Sequence, residues 1–212
     1  MSTIQQKLTS GTLKAWWNYP SGSYSDLAGT MDGVASGTPY FNREGLQLDG
    51  VADFVTTGSL NIASQLTLVT LFSAYTIDHA GGGGVPRVLD KTGSYGMYVA
   101  NATGLLVTFT TGVSDEFQSS TTTIPLMDDV VGAMTFDATG GERKVFINGL
   151  LESTETGLTG TITSNANDVI IGDNTAANMK FHGGVSTVLI FEETLTELEV
   201  AQVTSELINK TY

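Results

Sequence analysis

The chain has 212 residues, with 22 Asp and Glu against nine Lys and Arg for a formal charge of −13, and it contains 25 glycines and no cysteine. That field repels phosphate backbones, which argues against nucleic acid as a partner, and the missing thiols exclude a disulfide framework, a thiolate nucleophile and a cysteine-based zinc site. No run of about 18 apolar residues is present for membrane insertion, and the first ten residues lack the basic-then-apolar pattern of an export signal, so the expectation is a cytoplasmic chain or one carried outside on the surface of a larger particle such as a virion.

Residues 13–17 (Leu-Lys-Ala-Trp-Trp) open the chain as a strand, and residues 19–37 read as a loop rich in Gly, Ser and Asp. Leu46 and Leu48 then alternate onto one face before Asp49-Gly50, and residues 53–55 start another short strand. Residues 62–75 are too β-branched and alternating for a helix and predict a long core strand. Gly81 to Gly84 predict a hairpin tip. Lacking the Lys-Ser/Thr and following helix of a phosphate loop, they are no phosphate cradle. Strand signals follow at 85–89, 95–99, 105–110 and 130–136. Lys144-Val-Phe-Ile147 leads into Asn148-Gly149, the dipeptide that best tolerates the positive φ angles of a two-residue hairpin turn. Further signals lie at 168–172, 181–185 and 188–191. One helix is expected, from Glu197 to about Ile208: Thr196-Glu-Leu-Glu199 forms a capping box, and Val200, Val203 and Leu207 follow at helical spacing. Strands this close, joined by glycine-rich turns, predict a single all-β domain over residues 1–212, a two-sheet antiparallel jelly-roll sandwich with one short C-terminal helix.

These segments, in this order, resemble the concanavalin A-like lectin/glucanase superfamily and within it the laminin-G-like jelly-roll domains. The resemblance is carried by residues 13–17 with 26–33, by Gly45-Leu-Gln-Leu-Asp-Gly-Val-Ala-Asp-Phe-Val55, by Thr135-Phe-Asp137 and Val145-Phe-Ile-Asn-Gly149, and by Ile170-Ile-Gly172, Phe181-His-Gly183 and Leu195-Thr-Glu-Leu-Glu199. Val130-Val-Gly132 stands where the family usually has a Trp before its Thr-Phe-Asp segment, which marks a divergent member. The resemblance implies a binding or adhesion module for glycans or proteins, often with calcium. A minority of such domains are hydrolases or lyases, and others occur in bacteriophage structural proteins.

Glycoside hydrolysis needs two carboxylates across the scissile bond, and the Glu-x-Asp-x-x-Glu pattern of the related glucanases is missing. Asp115-Glu116, Asp128-Asp129 and Glu192-Glu193 are adjacent pairs, whose members would face opposite sides of a strand, and they read as solvated turn residues. His79 and His182 lack a Gly-x-Ser-x-Gly elbow and read as surface or turn histidines. Calcium takes six to eight oxygen ligands. Its candidate ligands are the loop acids Asp26, Asp32, Asp49, Asp53, Asp90 and Asp173, although Asp49-Gly50 is more often only a turn and Asp173-Asn174 is equally an Asx-turn. Glycan binding would stack sugar rings on aromatic faces. Trp16, Trp17, Tyr19, Tyr24, Tyr95 and Tyr98 are the candidate platforms, with one of the two adjacent tryptophans in the core and the other more exposed. Together these features predict a non-catalytic recognition or structural module without a required cofactor. Its expected partners are glycans and the neighbouring subunits of a homo-oligomer or larger assembly, such as a phage capsid or tail. A carbohydrate-active enzyme with a nonstandard site and a free calcium-dependent lectin are the alternatives.

Overall fold

Residues 66–72 alternate Leu66, Leu68 and Phe72 with Thr67, Val69 and Leu71, and a pleated strand sends those two sets to opposite faces. Both sets are buried, which makes this strand part of a middle layer, covered by a second sheet on one side and by helices on the other. The computed structural model describes residues 1–76, 85–100, 103–174, 176 and 179–210.

In chain order the elements are α1 (Thr3–Ser10), β1 (Leu13–Asn18), β2 (Val34–Ser36), β3 (Tyr40–Asn42), β4 (Gly45–Asp49) and β5 (Phe54–Thr56). The long β6 (Gln65–Ala74) is followed by β7 (Arg87–Lys91), β8 (Tyr95–Val99), β9 (Leu105–Thr110) and β10 (Phe117–Thr123). The last group is β11 (Val130–Asp137), β12 (Glu142–Ile147), β13 (Leu150–Thr156), β14 (Ile170–Ile171), β15 (His182–Phe191) and α2 (Glu197–Asn209). One sheet runs β13-β12-β11-β6-β15-β4-β3 with β1 also on β15, and the other runs β10-β9-β8-β7-β14-β5-β2. The strand pairings among the described residues are antiparallel. This is the predicted two-sheet jelly-roll sandwich.

Between the sheets lie Leu66, Leu68 and Phe72 of β6 with Val188 and Ile190 of β15, packed with Tyr95, Met97 and Leu106 of the smaller sheet. On the outer face of the larger sheet, Val69, Leu71, Val131, Phe146 and Leu189 are covered by Ile4 of α1 and by Val200, Val203 and Leu207 of α2. At roughly 1.5–3 kcal/mol for each large apolar side chain taken from water, this second layer is a core of its own. It covers only part of the face.

The hairpin forms as expected, with Asn148 at φ 51° and Gly149 at φ 79°. The C-terminal helix also forms, with both halves of its capping box in place. Four expectations need correction, the first being the loop over residues 19–37, whose end forms β2 against β5. A second helix, α1, precedes β1: Ser2 accepts a bond from the Gln5 amide, and Gly11 ends the helix at φ 76°. The separate signals at 181–185 and 188–191 are one strand, interrupted by a bulge between Val185 and Thr187. Before the bulge β15 pairs with β4, and after it with β1. The signal at 168–172 shrinks to the two-residue β14. The tip expected at Gly81 to Gly84, and His79, lie outside the described residues. No described helix is long and apolar enough to cross a membrane.

Candidate functional site

Trp16 and Trp17 do point to opposite sides of β1, yet both are buried, at 5% and 0% exposure. The expectation of one more exposed tryptophan is therefore corrected. Trp17 packs between the sheets, whereas the side reached by Trp16 is covered by the helices. Tyr19 and Tyr95 are fully buried too, and burial pushes both phenols well up. Tyr24 is half-buried with its ring 4.8 Å from that of Phe41. Tyr98 is half-buried beneath the Arg87 guanidinium, 4.4 Å from the ring centroid. Of the six candidate platforms, only these two retain exposed ring surface.

The candidate calcium acids fall into three separate pairs, each held by its own turn or ion pair. Asp26 accepts the Trp16, Ala28 and Met31 amides, and Asp32 accepts the Asp26 amide. Asp49 accepts the amides of Val51, Ala52 and Asp53, which holds its carboxyl below the usual range, and Asp53 accepts those of Thr38 and Asp49. Asp90 pairs with Arg87 and accepts the Thr92 hydroxyl, while Asp173 pairs with Lys180 and accepts the Met179 amide. The field of Asp173 reaches Asp90, so this third pair lies beside Tyr98 over Arg87, as the first lies beside Trp16. Among the described residues, no three His, Asp or Glu side chains gather as a metal set.

A different group of residues meets on the larger sheet, beyond the cover of the helices. Outward positions of β6 change from Val69 and Leu71 to Ser73, with Tyr75 following the strand. Register sets Ser73 beside Gly184, Gly184 beside Gln47, and Gln47 beside Tyr40, a row across four strands. The adjoining backbone bonds place Asp49, His182 and Tyr75 next to it. Gly184 leaves a depression in the middle of the row that the Gln47 amide and the Tyr75 hydroxyl fill: a Cβ there would lie 3.0 Å from Gln47 Nε2 and 3.5 Å from the Tyr75 hydroxyl. Over that depression the Tyr75 hydroxyl donates to Gln47 Oε1, and Gln47 Nε2 donates to Asn42 Oδ1 at 3.0 Å. The His182 ring stands edge-on to Tyr75 at 5.6 Å.

The loop before β11 completes the site. Its Met127 amide donates to Ala74 O at 2.8 Å, and Met127 takes the left-handed conformation at φ 64°, a backbone state that costs a non-glycine residue about 1–2 kcal/mol. Glu44, Ser73, Tyr75, Met127, Asp128 and Asp129 line a cavity of about 380 Å³. Burial pushes the Asp129 carboxyl up, Glu44 and Asp128 add to the shift, and Lys210 opposes it. The Tyr75 phenol is also pushed up, by burial and then by Glu44, Tyr40 and Asp129. Sequence reasoning set Asp128-Asp129 aside as turn residues and missed Tyr75, Gln47 and Glu44. The readable signal was the change on one face of β6 from Val69 and Leu71 to Ser73 and Tyr75.

A half-exposed ring, its hydroxyl fixed by buried Gln47, and the exposed Asn42, Glu44, Asp128 and Asp129 beside it form a surface able to hydrogen-bond hydroxyls and pack against a flat apolar ring. The architecture beneath it is a concanavalin A-like jelly-roll fold. The chain belongs to the concanavalin A-like lectin/glucanase superfamily, whose laminin-G family model matches residues 49–201. Domain 4 of AbnA, an extracellular GH43 arabinanase from Geobacillus stearothermophilus solved with arabinotriose, is similar at TM-score 0.70 and 18% identity, over 91% of this chain and 98% of that one. The binding domain of Paraclostridial mosquitocidal protein 1 superposes at TM-score 0.74 with 14% identity, over 95% of this chain and 53% of that one. Trypanosoma rangeli sialidase does so at 0.68 with 15% identity, over 93% of this chain and 33% of that one. At these identities the likeness shows the fold. No curated protein matches the sequence.

Proposed function

We propose that the chain is a non-catalytic carbohydrate-recognition module that takes its glycan on the uncovered half of the larger sheet, around Tyr75. The observation that carries this reading is the Tyr75–Gln47–Asn42 hydrogen-bonded chain spanning the gap at Gly184, beside a cavity of about 380 Å³. The ring supplies the apolar wall for a sugar face, buried Gln47 fixes its hydroxyl, and the exposed Asn42 and Glu44 side chains supply partners for sugar hydroxyls. Similarity to an arabinanase domain solved with arabinotriose supports the ligand class. Display on a larger assembly such as a virion belongs to the same proposal, and the charge of −13, suited to a solvated outer module, supports it.

Calorimetric titration against a panel of oligosaccharides tests the reading. Tyr75→Ala is expected to weaken binding about tenfold or more, the worth of one good aromatic contact, with the fold unchanged by circular dichroism. Binding that survives Tyr75→Ala and is lost in Tyr98→Ala would move the site to the other sheet. Steady release of reducing ends would make the chain a hydrolase instead.

A further inference from the structure

We propose that one rim of the smaller sheet is built around a cation site whose occupant is the chain's own Lys91 ammonium, so that the loops there are tied without the calcium that the family resemblance implies. Lys91 ends β7 and is fully buried, at 0% exposure. Its Nζ donates to Ser59 Oγ at 3.0 Å, to Asn165 Oδ1 at 3.1 Å, to Asn165 O at 3.2 Å and to Asn167 O. An ammonium has three N–H donors and no acceptor, so these oxygens satisfy every proton it carries. All four are uncharged. Lys7, Lys14, Lys144 and Lys180 each meet a carboxylate within 4 Å, whereas Lys91 meets none among the described residues. Two backbone carbonyls, an amide oxygen and a hydroxyl form an oxygen set of the kind that a hard cation takes.

The donor set does not fit calcium, which takes six to eight oxygens and binds tightly only when several are charged. It fits a single positive charge, on which burial acts unfavourably and the field of Asp168 favourably. The site also has a mechanical consequence. Residues 157–169 join β13 to β14 without a helix or strand of their own, and the ammonium draws their Asn165 and Asn167 onto β7 and onto the loop that carries Ser59. Asn165 relays the tie: its Nδ2 donates to Thr92 O at 3.0 Å and Gly93 O at 3.1 Å, and its backbone amide donates to Asn61 Oδ1 at 3.1 Å. Asn167 Nδ2 reaches Thr92 O at 2.8 Å. Three segments distant in sequence therefore converge on one charge. Without it, three carbonyl oxygens would be left turned toward one another around an empty space, each short of a donor.

Thermal unfolding of the full chain and of two variants tests this. The wild type is expected to melt at the same temperature, within about 1 °C, in excess chelator and in millimolar calcium. Lys91→Met keeps the apolar stem and removes the charge, and should melt at least about 6 °C lower. Lys91→Ala opens the site to an added cation: n-propylammonium should raise its Tm by several degrees more than tetramethylammonium at equal concentration, because only the former can donate to the oxygens. Should neither variant fold, nitrogen-detected resonance of lysine ammonium groups in the wild type at about pH 7 decides. A protonated Lys91 in contact with Asn165 and Asn167, with slowly exchanging protons, is expected. A wild-type Tm that falls in chelator and returns with calcium would overturn the proposal. So would a Lys91→Met variant as stable as the wild type, equal responses of Lys91→Ala to the two salts, or a neutral or freely exchanging Lys91 amine. None of these outcomes bears on the glycan reading, which rests on the other sheet.

Discussion

Adjacent glycines in β15 make opposite demands, and alanine at each separates fold from site. Gly183 faces the interior, where an added Cβ would lie 2.1 Å from Ser73 O and 2.8 Å from two Phe181 ring carbons. Ordinary contact begins near 3.4 Å, so the carbonyl would have to retreat by about 1.3 Å. It cannot do so cheaply, because β6 is paired on both sides, to β15 and to β11. Phe181 is fully buried and meets Phe72 edge-on at 5.9 Å, a contact worth about 0.5–1.5 kcal/mol that the shift would spoil. Overpacking of about 1–3 kcal/mol plus that loss, less about 0.5 kcal/mol for a stiffer unfolded chain, gives a cost of about 3 kcal/mol for Gly183→Ala. In a chain of this size that lowers Tm by about 6–12 °C. Gly184→Ala meets only the movable ends of Gln47 and Tyr75 and should cost less than about 1 kcal/mol, while weakening glycan binding by pushing those two side chains off the depression. Urea unfolding followed by fluorescence, with m held constant, measures both. A loss below about 1 kcal/mol for Gly183→Ala, or equal losses for the two variants, would refute the reasoning.

Three further outcomes follow from local geometry. Thr196→Ala removes the cap that Thr196 Oγ1 offers the Glu199 amide and should cost about 1 kcal/mol by the same urea assay. Asn148→Ala forces alanine to φ 51° and removes the acceptor of the Val131 amide, for an expected loss of about 2 kcal/mol. Asn148→Gly should lose less, since glycine tolerates the angle. Asp49, Glu152 and Glu199 have depressed carboxyl pKa values in the fold, held down by hydrogen bonds and, for Glu199, also by Lys7. Their contribution is present above the ordinary values of 3.8 and 4.5 and is lost as pH falls through the folded values. Asp90 and Asp129, raised by burial, act in the opposite direction over the window above 3.8. The urea midpoint should therefore change little from neutral pH down to about 5 and fall steeply below about 4.

Local patterns showed most of the architecture. Asn148-Gly149 specified a turn by backbone angles that few other dipeptides accept, and Thr196 with Glu199 specified a helix start by reciprocal hydrogen bonds. The missed α1 also carried a readable cap, Ser2 three residues before Gln5 with Gly11 beyond the end. Its apolar stripe, however, is only Ile4 and Leu8, too short for a periodic signal. Gly183-Gly184 and the following bulge broke the alternation that would have joined two signals into β15.

The site was less legible because alternation states which side a residue faces and not what covers that side. Trp16 faces outward from the sandwich and is buried because α1, packed on β1, joins α2 in covering that side. Tyr75 faces outward on the same sheet and stays half-exposed because the helices stop short of it. Asp26, Asp49 and Asp53 were recognisable as loop acids, but the backbone amides they bind were not.

Nuclear magnetic resonance mapping with an oligosaccharide that binds tests recognition on the open half of the larger sheet most directly. The account predicts shifts that cluster at Tyr40, Gln47, Ser73, Tyr75, Met127 and His182 and vanish in Tyr75→Ala. Shifts clustered at Arg87 and Tyr98 on the opposite sheet, with Tyr75 unmoved, would contradict it.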